Sequence, residues 1–177
     1  RWSGGIHSLG EYQARYDGAL RRLDAVLGRL FNRMARVGRM RQATICVVGS
    51  HGLGFGEAGL ILDHGTLSEV DLRVPWNLRA PDGVGLIPGR RVDDLASLLD
   101  VAPTLLELAG LPPPPSMHGD SFAPFLLGAS ESPREFAVAR CGLQDGYLVV
   151  EPDWLLELTR PWIVDQPILA TTWYGGP

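Results

Sequence analysis

Two of the four histidines stand beside glycines in a segment that begins as a strand. "GSHG", Gly49 to Gly52, follows the apolar run Ile45 to Val48, and "DHGT" carries His64. An imidazole can ligate a metal through its lone pair or move a proton near neutral pH. The end of a strand is rigid enough to hold such a group in place. Ser50 and His51 are not a nucleophile and its base, because neighbours in an extended chain point to opposite faces. The glycines of "GLGFGEAG" are like a phosphate loop only superficially, since no Walker lysine follows. The chain contains no lysine at all; its sixteen basic residues are arginines. Cys46 and Cys141 have neither metal nor redox spacing. Glu57 and Asp63 read as solvated loop acids.

The elements that position these residues are legible in the apolar pattern. Leu9, Tyr12, Tyr16, Leu20, Leu23, Leu27, Leu30, Met34 and Val37 recur at spacings of three and four. That spacing predicts an amphipathic helix with one buried stripe, closed by Gly38. The expectation is that Leu20, Leu23, Leu27 and Leu30 pack against a sheet. Ala43 to Val48 does not alternate and reads as a strand buried on both faces. Gly49 to Gly65 is a loop of seventeen residues with six glycines, a length that points to function or disorder.

Leu72 to Leu78 reads as a second strand, with Pro75 at an edge or bulge. Arg73 reads as one half of an ion pair. Ala96 to Leu99 reads as a short buried segment. A helix over Val101 to Ala109 follows, with Asp100 as its N-cap, Pro103 in its first turn and Gly110 at its end. Pro112 to Pro115 is a rigid spacer, and a short helix begins near Ser121. Apolar runs separated by Asp145-Gly146 and Pro152-Asp153 carry hairpin signals.

Composition sets the outer bounds. The chain has 177 residues, 45% of them hydrophobic and 20% charged, which is ordinary for a domain with a real core. A net charge of −4 gives no reason to expect a nucleic-acid or membrane-surface binder. No apolar run approaches the roughly 20 residues of a membrane span.

Read in order, "ICVVGSHG", "HGTLSEVDLRVP", "SLLDVAPTLLELAGLPPPP" and "HGDSFAPFL" resemble the C-terminal half of a sulfatase, in the alkaline-phosphatase-like superfamily. The resemblance covers residues 12 to 127. It implies an α/β fold, a mixed central sheet flanked by helices, with a small antiparallel subdomain at the C-terminal end. The expected division is 1–128 for the α/β part and 129–177 for the subdomain and tail. It also implies a divalent metal, calcium, with His51 and Ser50 on the paired ligand positions at the strand end. By the same resemblance His64 faces the substrate, where it assists the leaving oxygen. The implied substrates are sulfate esters or sulfated carbohydrates.

The chain departs from the family pattern in several places. Ser50 stands where an aspartate is usual, and a hydroxyl lacks the charge a hard cation prefers. Leu53, Ala58 and Ser68 replace other common residues. No Cys-x-Pro-x-Arg or Ser-x-Pro-x-Arg motif is present. The nucleophile and the first acidic metal pair are therefore expected in an N-terminal half upstream, and the chain is expected to be inactive alone. Two alternatives stay open: a non-catalytic sulfatase-like binding protein, and a related phosphodiesterase or phosphonate hydrolase.

Overall fold

Ser8 begins the first helix by accepting a hydrogen bond from the Glu11 amide through its Oγ, at 3.2 Å. The computed structural model describes residues 8–57, 67–141, 146–151, 155–159 and 169–171. Helix α1 runs over Leu9–Arg36, with Glu11 in its first turn and Arg33 and Arg36 in its last, each favourable to the helix dipole. Gly38, at a φ of 72°, takes the left-handed conformation that closes it.

The expected burial of its stripe is not found. No residue of α1 is buried, and Leu20, Leu23 and Leu30 are 46%, 53% and 49% exposed. Leu27 is half-buried. The periodic pattern says which face prefers to leave water, not whether this chain supplies a cover. Near its start α1 does find a neighbour, for Tyr16 meets Phe55 edge-on at 5.1 Å.

Strand β1 covers Ile45–Val48, shorter than expected, and Val47 and Val48 are exposed. Its antiparallel partner β2 covers Trp76–Arg79, with Ile45 opposite Arg79 and Val48 opposite Trp76. The strand expected over Leu72 to Leu78 thus begins later. Glu69–Leu72 forms one helical turn, α2. Pro75 has no amide to give a ladder; instead its carbonyl accepts the Gly49 amide at 2.9 Å. Arg73 pairs with Glu69 at 2.8 Å on the exposed side of α2.

Arg79 ties this region together by donating to the carbonyls of Met40 and Ala43 and to the Asp82 carboxylate. Arg41 reaches the same carboxylate at 2.8 Å, and its hydrogen bond holds the Asp82 carboxyl below its ordinary value. A depressed carboxyl contributes stability above its unfolded pKa and loses it as pH falls through the folded one. Asp82→Asn is therefore expected to lower the thermal midpoint slightly at pH 7. The gap between variant and wild type should close in melts run below the carboxylate range.

Helix α3 covers Val101–Leu108 and ends at Gly110, whose φ is 76°. A single 3₁₀ turn, Leu98–Asp100, leads into it. The short buried segment expected at Ala96 to Leu99 is not there, since Leu98 and Leu99 are exposed. Ser97 caps the turn, and burial falls on Asp100 instead. Helix α4 is Ala123–Leu126. Its preceding residue Phe122 is fully buried and meets Trp76 and Phe125 edge-on at 5.8 and 6.0 Å. The last element is a four-stranded antiparallel sheet in sequence order: β3 (Ala137–Cys141), β4 (Gly146–Val150), β5 (Leu155–Thr159) and β6 (Leu169–Thr171). Leu148 of β4 packs with Leu67 in an apolar cluster that Ala139 and Val150 flank.

Candidate functional site

The turn after β1 is pinned at two glycines. Gly49 donates to the Pro75 carbonyl at 2.9 Å, and Gly52 donates to the Asp71 carbonyl at 2.8 Å. A Cβ at Gly52 would lie 1.7 Å from the Val70 carbonyl oxygen, and one at Gly49 would lie 3.0 Å from the Val74 Cβ. Gly52 is therefore glycine because α2 crosses directly against it. The close approach of the Val70 backbone is the physical cause. Ser50 and His51 are both exposed between these two anchors.

The His51 ring lies 2.7 Å through Nδ1 from the Gly52 carbonyl. A carbonyl only accepts, so Nδ1 carries the proton and the lone pair of the neutral ring sits on Nε2. Further along, Glu57 accepts the Phe55 amide at 2.6 Å. Its bonds to its own amide and to that of Phe55 hold the Glu57 carboxyl below the ordinary value. It is an exposed, ionised loop acid, as its surroundings in the sequence suggested.

His64 and Asp63 lie outside the described residues, as does Ala58. Among the described residues, no group of three His, Cys, Asp or Glu side chains is placed to hold a metal ion. Ser50 and His51 thus do not make a complete site with the carboxylates described here.

A second polar cluster was not foreseen. Asp100 is 0% exposed, and it accepts from the Ser97 amide at 2.7 Å and from the Asp120 amide at 2.8 Å. Arg134 grips both of its carboxylate oxygens, with Nε at 2.8 Å from Oδ2 and Nη2 on Oδ1, and also reaches Asp120 at 2.8 Å. The hydrogen bond to Asp100 raises the Arg134 pKa further above its usual value. Thr104 donates to the Asp100 carbonyl and accepts the Phe122 amide. Gly119 completes the fit, since a Cβ there would lie 2.0 Å from the Leu99 carbonyl oxygen. The cluster fastens "HGDS" and the start of β3 to α3. Asp100 stands at the N-cap position of α3, as the sequence indicated, but its side chain makes no capping bond there and goes to this cluster instead. Spacing alone carries no signal for a partner 34 residues away.

The fold is alkaline-phosphatase-like α/β. A solved phosphonate monoester hydrolase of Agrobacterium radiobacter superposes on 85% of this chain with a TM-score of 0.73 at 24% identity, the match covering 33% of that protein. Residues 56–138 match the family described as N-sulphoglucosamine sulphohydrolase, C-terminal. The extracellular sulfatase SULF-1 homolog of Drosophila melanogaster is 31% identical over 116 residues, which are 66% of this chain and 10% of that protein. The N-acetylglucosamine-6-sulfatase of Bos taurus is 31% identical over 109 residues, 61% of this chain and 19% of that protein. Over these stretches the chain is sulfatase-like and corresponds to the C-terminal region of the proteins it matches. It spans a tenth to a fifth of the length of these two relatives.

Proposed function

We propose that this chain is the C-terminal part of a hydrolase for sulfate esters of carbohydrates that contain glucosamine. The observation that carries the reading is His51, fixed at the end of β1 between two pinned glycines, with its Nε2 lone pair set by the bond to Gly52. The relatives named for N-sulphoglucosamine and N-acetylglucosamine-6-sulfate chemistry supply the substrate class. In this reading residues 1–128 form the α/β part, and 129–177 form the subdomain and tail.

The chain's own contribution to the reaction is limited. His64 donates a proton to the leaving alcohol oxygen. His51 and Ser50 are the positions this chain offers to a divalent ion, calcium by its preference for oxygen ligands. Ser50 brings no charge, so the carboxylates must come from polypeptide that precedes Arg1, together with the nucleophile. Turnover by the 177-residue chain alone is not expected.

The test is sulfate release from N-acetylglucosamine 6-sulfate by the polypeptide expressed with everything its gene encodes before Arg1. Hydrolysis is expected, and His64→Ala should cut it by about 10²–10⁴-fold. An inactive polypeptide without a Cys-x-Pro-x-Arg or Ser-x-Pro-x-Arg motif would overturn the hydrolase reading. Ser50 is the residue that favours that second outcome, a sulfatase-like protein that binds and does not turn over. Calorimetry with calcium addresses Ser50 directly: binding that strengthens in Ser50→Asp and is lost in Ser50→Asp/His51→Ala is expected. Tight binding by the wild-type chain, lost in His51→Ala, would contradict it.

A further inference from the structure

Helix α1 carries arginine at Arg15, Arg22, Arg29 and Arg36, a row with a seven-residue repeat. Seven residues make nearly two turns, so the row drifts only about 20° per step around the helix. Its members stand about 10 Å apart, and the row is about 30 Å long. Arg33 joins it, four residues after Arg29 and three before Arg36. The acids of α1 are segregated from the row. Asp17 and Asp24 each follow one of its arginines by two residues, a spacing that puts them on another side of the helix. Arg21, four residues after Asp17, goes with them. Glu11, one turn before Arg15, is the acid that lies along the row.

The charge is uncompensated as well as segregated. All five arginines are exposed. Among the described residues, Arg22, Arg29, Arg33 and Arg36 take part in none of the ion pairs. Arg33 has a like charge on either side, which a helix disfavours. The helix dipole accounts for cations in the last turn, at Arg33 and Arg36, and not for those at Arg15, Arg22 and Arg29. The chain as a whole is acidic, with a net charge of −4, so the row is a local feature. Guanidinium groups with no acids to meet them do not enter a protein interior. This side of α1 therefore stays in solvent whatever packs on its apolar side. Its position links it to the candidate site. Tyr16, next to Arg15, meets Phe55, four residues beyond His51, at 5.1 Å. The row starts beside that loop and runs away from it.

We propose that this row is a track for the sulfate groups of a polymeric substrate, a sulfated polysaccharide lying along α1. The proposal rests on the sulfate-ester reading above and adds that the substrate is a polymer. A guanidinium offers paired donors that match a tetrahedral oxyanion such as sulfate. One sulfated sugar reaches one of these groups, whereas a chain that reaches several gains affinity through multivalency. Single-stranded nucleic acid calls for aromatic rings among the cations. Here Tyr12 and Tyr16 belong to the apolar stripe, and Phe31, two residues from both Arg29 and Arg33, is on another side.

The probe is heparin, titrated by calorimetry into the polypeptide expressed with everything its gene encodes before Arg1. Arg22→Gln/Arg29→Gln/Arg33→Gln neutralises the row, and glutamine nearly keeps the helix propensity of arginine. Arg21→Gln/Arg73→Gln/Arg91→Gln removes the same charge elsewhere. The row variant is expected to weaken heparin binding at least about tenfold and to lower the slope of log Kd against log salt by about two to three. The control variant should change Kd by less than about twofold, because salt screens distant exposed charges. If circular dichroism shows helix loss in the glutamine variant, Arg22→Lys/Arg29→Lys/Arg33→Lys takes its place and should still weaken binding, since the paired donors are gone. No heparin binding by the wild type, or equal loss in the row and control variants, overturns the proposal. Undiminished binding of desulfated heparin also overturns it. So does binding of single-stranded DNA or phosphatidylserine vesicles as tight as that of heparin and lost in the same variant. Activity separates the track from the hydrolase. A loss confined to heparin, with kcat/KM for N-acetylglucosamine 6-sulfate unchanged, supports the track, and an equal loss on both substrates overturns it. Heparin binding through the row in a polypeptide that hydrolyses neither substrate keeps the track and removes the hydrolase. Hydrolysis of the monosaccharide with heparin binding indifferent to the row does the reverse.

Discussion

Arg134→Ala is expected to cost about 3–5 kcal/mol, because it leaves the Asp100 carboxylate buried with its charge uncompensated. Arg134 is 13% exposed and Asp100 0%, so water cannot take over the arginine's role without opening the structure. The loss is a large part of an ordinary domain's stability of about 5–15 kcal/mol. Urea denaturation of the variant measures it. Arg73→Ala is the control, since the Arg73–Glu69 pair is exposed on both sides and should cost no more than about 0.5 kcal/mol. The double variant Asp100→Asn/Arg134→Met removes both charges and should recover part of the loss. Equal effects for Arg134→Ala and Arg73→Ala would show that the cluster does not brace α3.

Sequence pattern and structure agree where local chemistry decides. Helix α1 ends at a glycine with positive φ, as the residues indicated. Helix α3 stops at Gly110 for the same reason. The antiparallel pairing of β3 with β4 follows the turn signal at Asp145-Gly146. What was not legible depends on partners distant in the chain. "EVDL" folds as a helical turn, where the apolar pattern put the start of a strand at Leu72. Nothing near Asp100 announces Arg134. Amphipathicity marks which face of α1 prefers burial, and a cover from elsewhere is a separate matter. For the candidate site, the position of His51 at the strand end was readable from "VVGSHG". The reason for Gly52 was not, because Val70 approaches it from α2.

Gly52→Ala has the second large expected effect. A methyl group 1.7 Å from the Val70 carbonyl oxygen cannot be absorbed by a side-chain rotation, since both contacting atoms belong to or are fixed on backbone. Either α2 or the turn must shift, at a cost of about 1–3 kcal/mol or more. The hydrogen bond from Gly52 to Asp71 weakens with that shift, and His51 moves with the turn. Gly18→Ala gives the opposite sign. It sits in α1 with nothing within 4 Å of the added carbon, so helix propensity should stabilise the chain by about 0.5–1 kcal/mol. Thermal melts of the two variants compare them directly, and the His51 ring signals in NMR should move only in Gly52→Ala. A Gly52→Ala chain as stable as wild type, with His51 unmoved, would mean the close approach is not present in solution.

The clasp between Asp100 and Arg134 also sets where this sequence is free to change length. Leu111, Pro112, Pro114, Pro115, Ser116 and Met117 are exposed between α3 and the pinned Gly119. They bridge two ends that the clasp already holds together. Doubling the length of such a bridge costs only about 0.6 kcal/mol in chain entropy. Insertions at the proline run are therefore nearly neutral, and the segment can drift in length and composition among descendants. One residue added between Gly119 and Phe122 would instead displace the Asp120 and Phe122 amides from Asp100 and Thr104. Evolutionary freedom and rigidity thus meet within a few residues of each other, at the boundary of "HGDS".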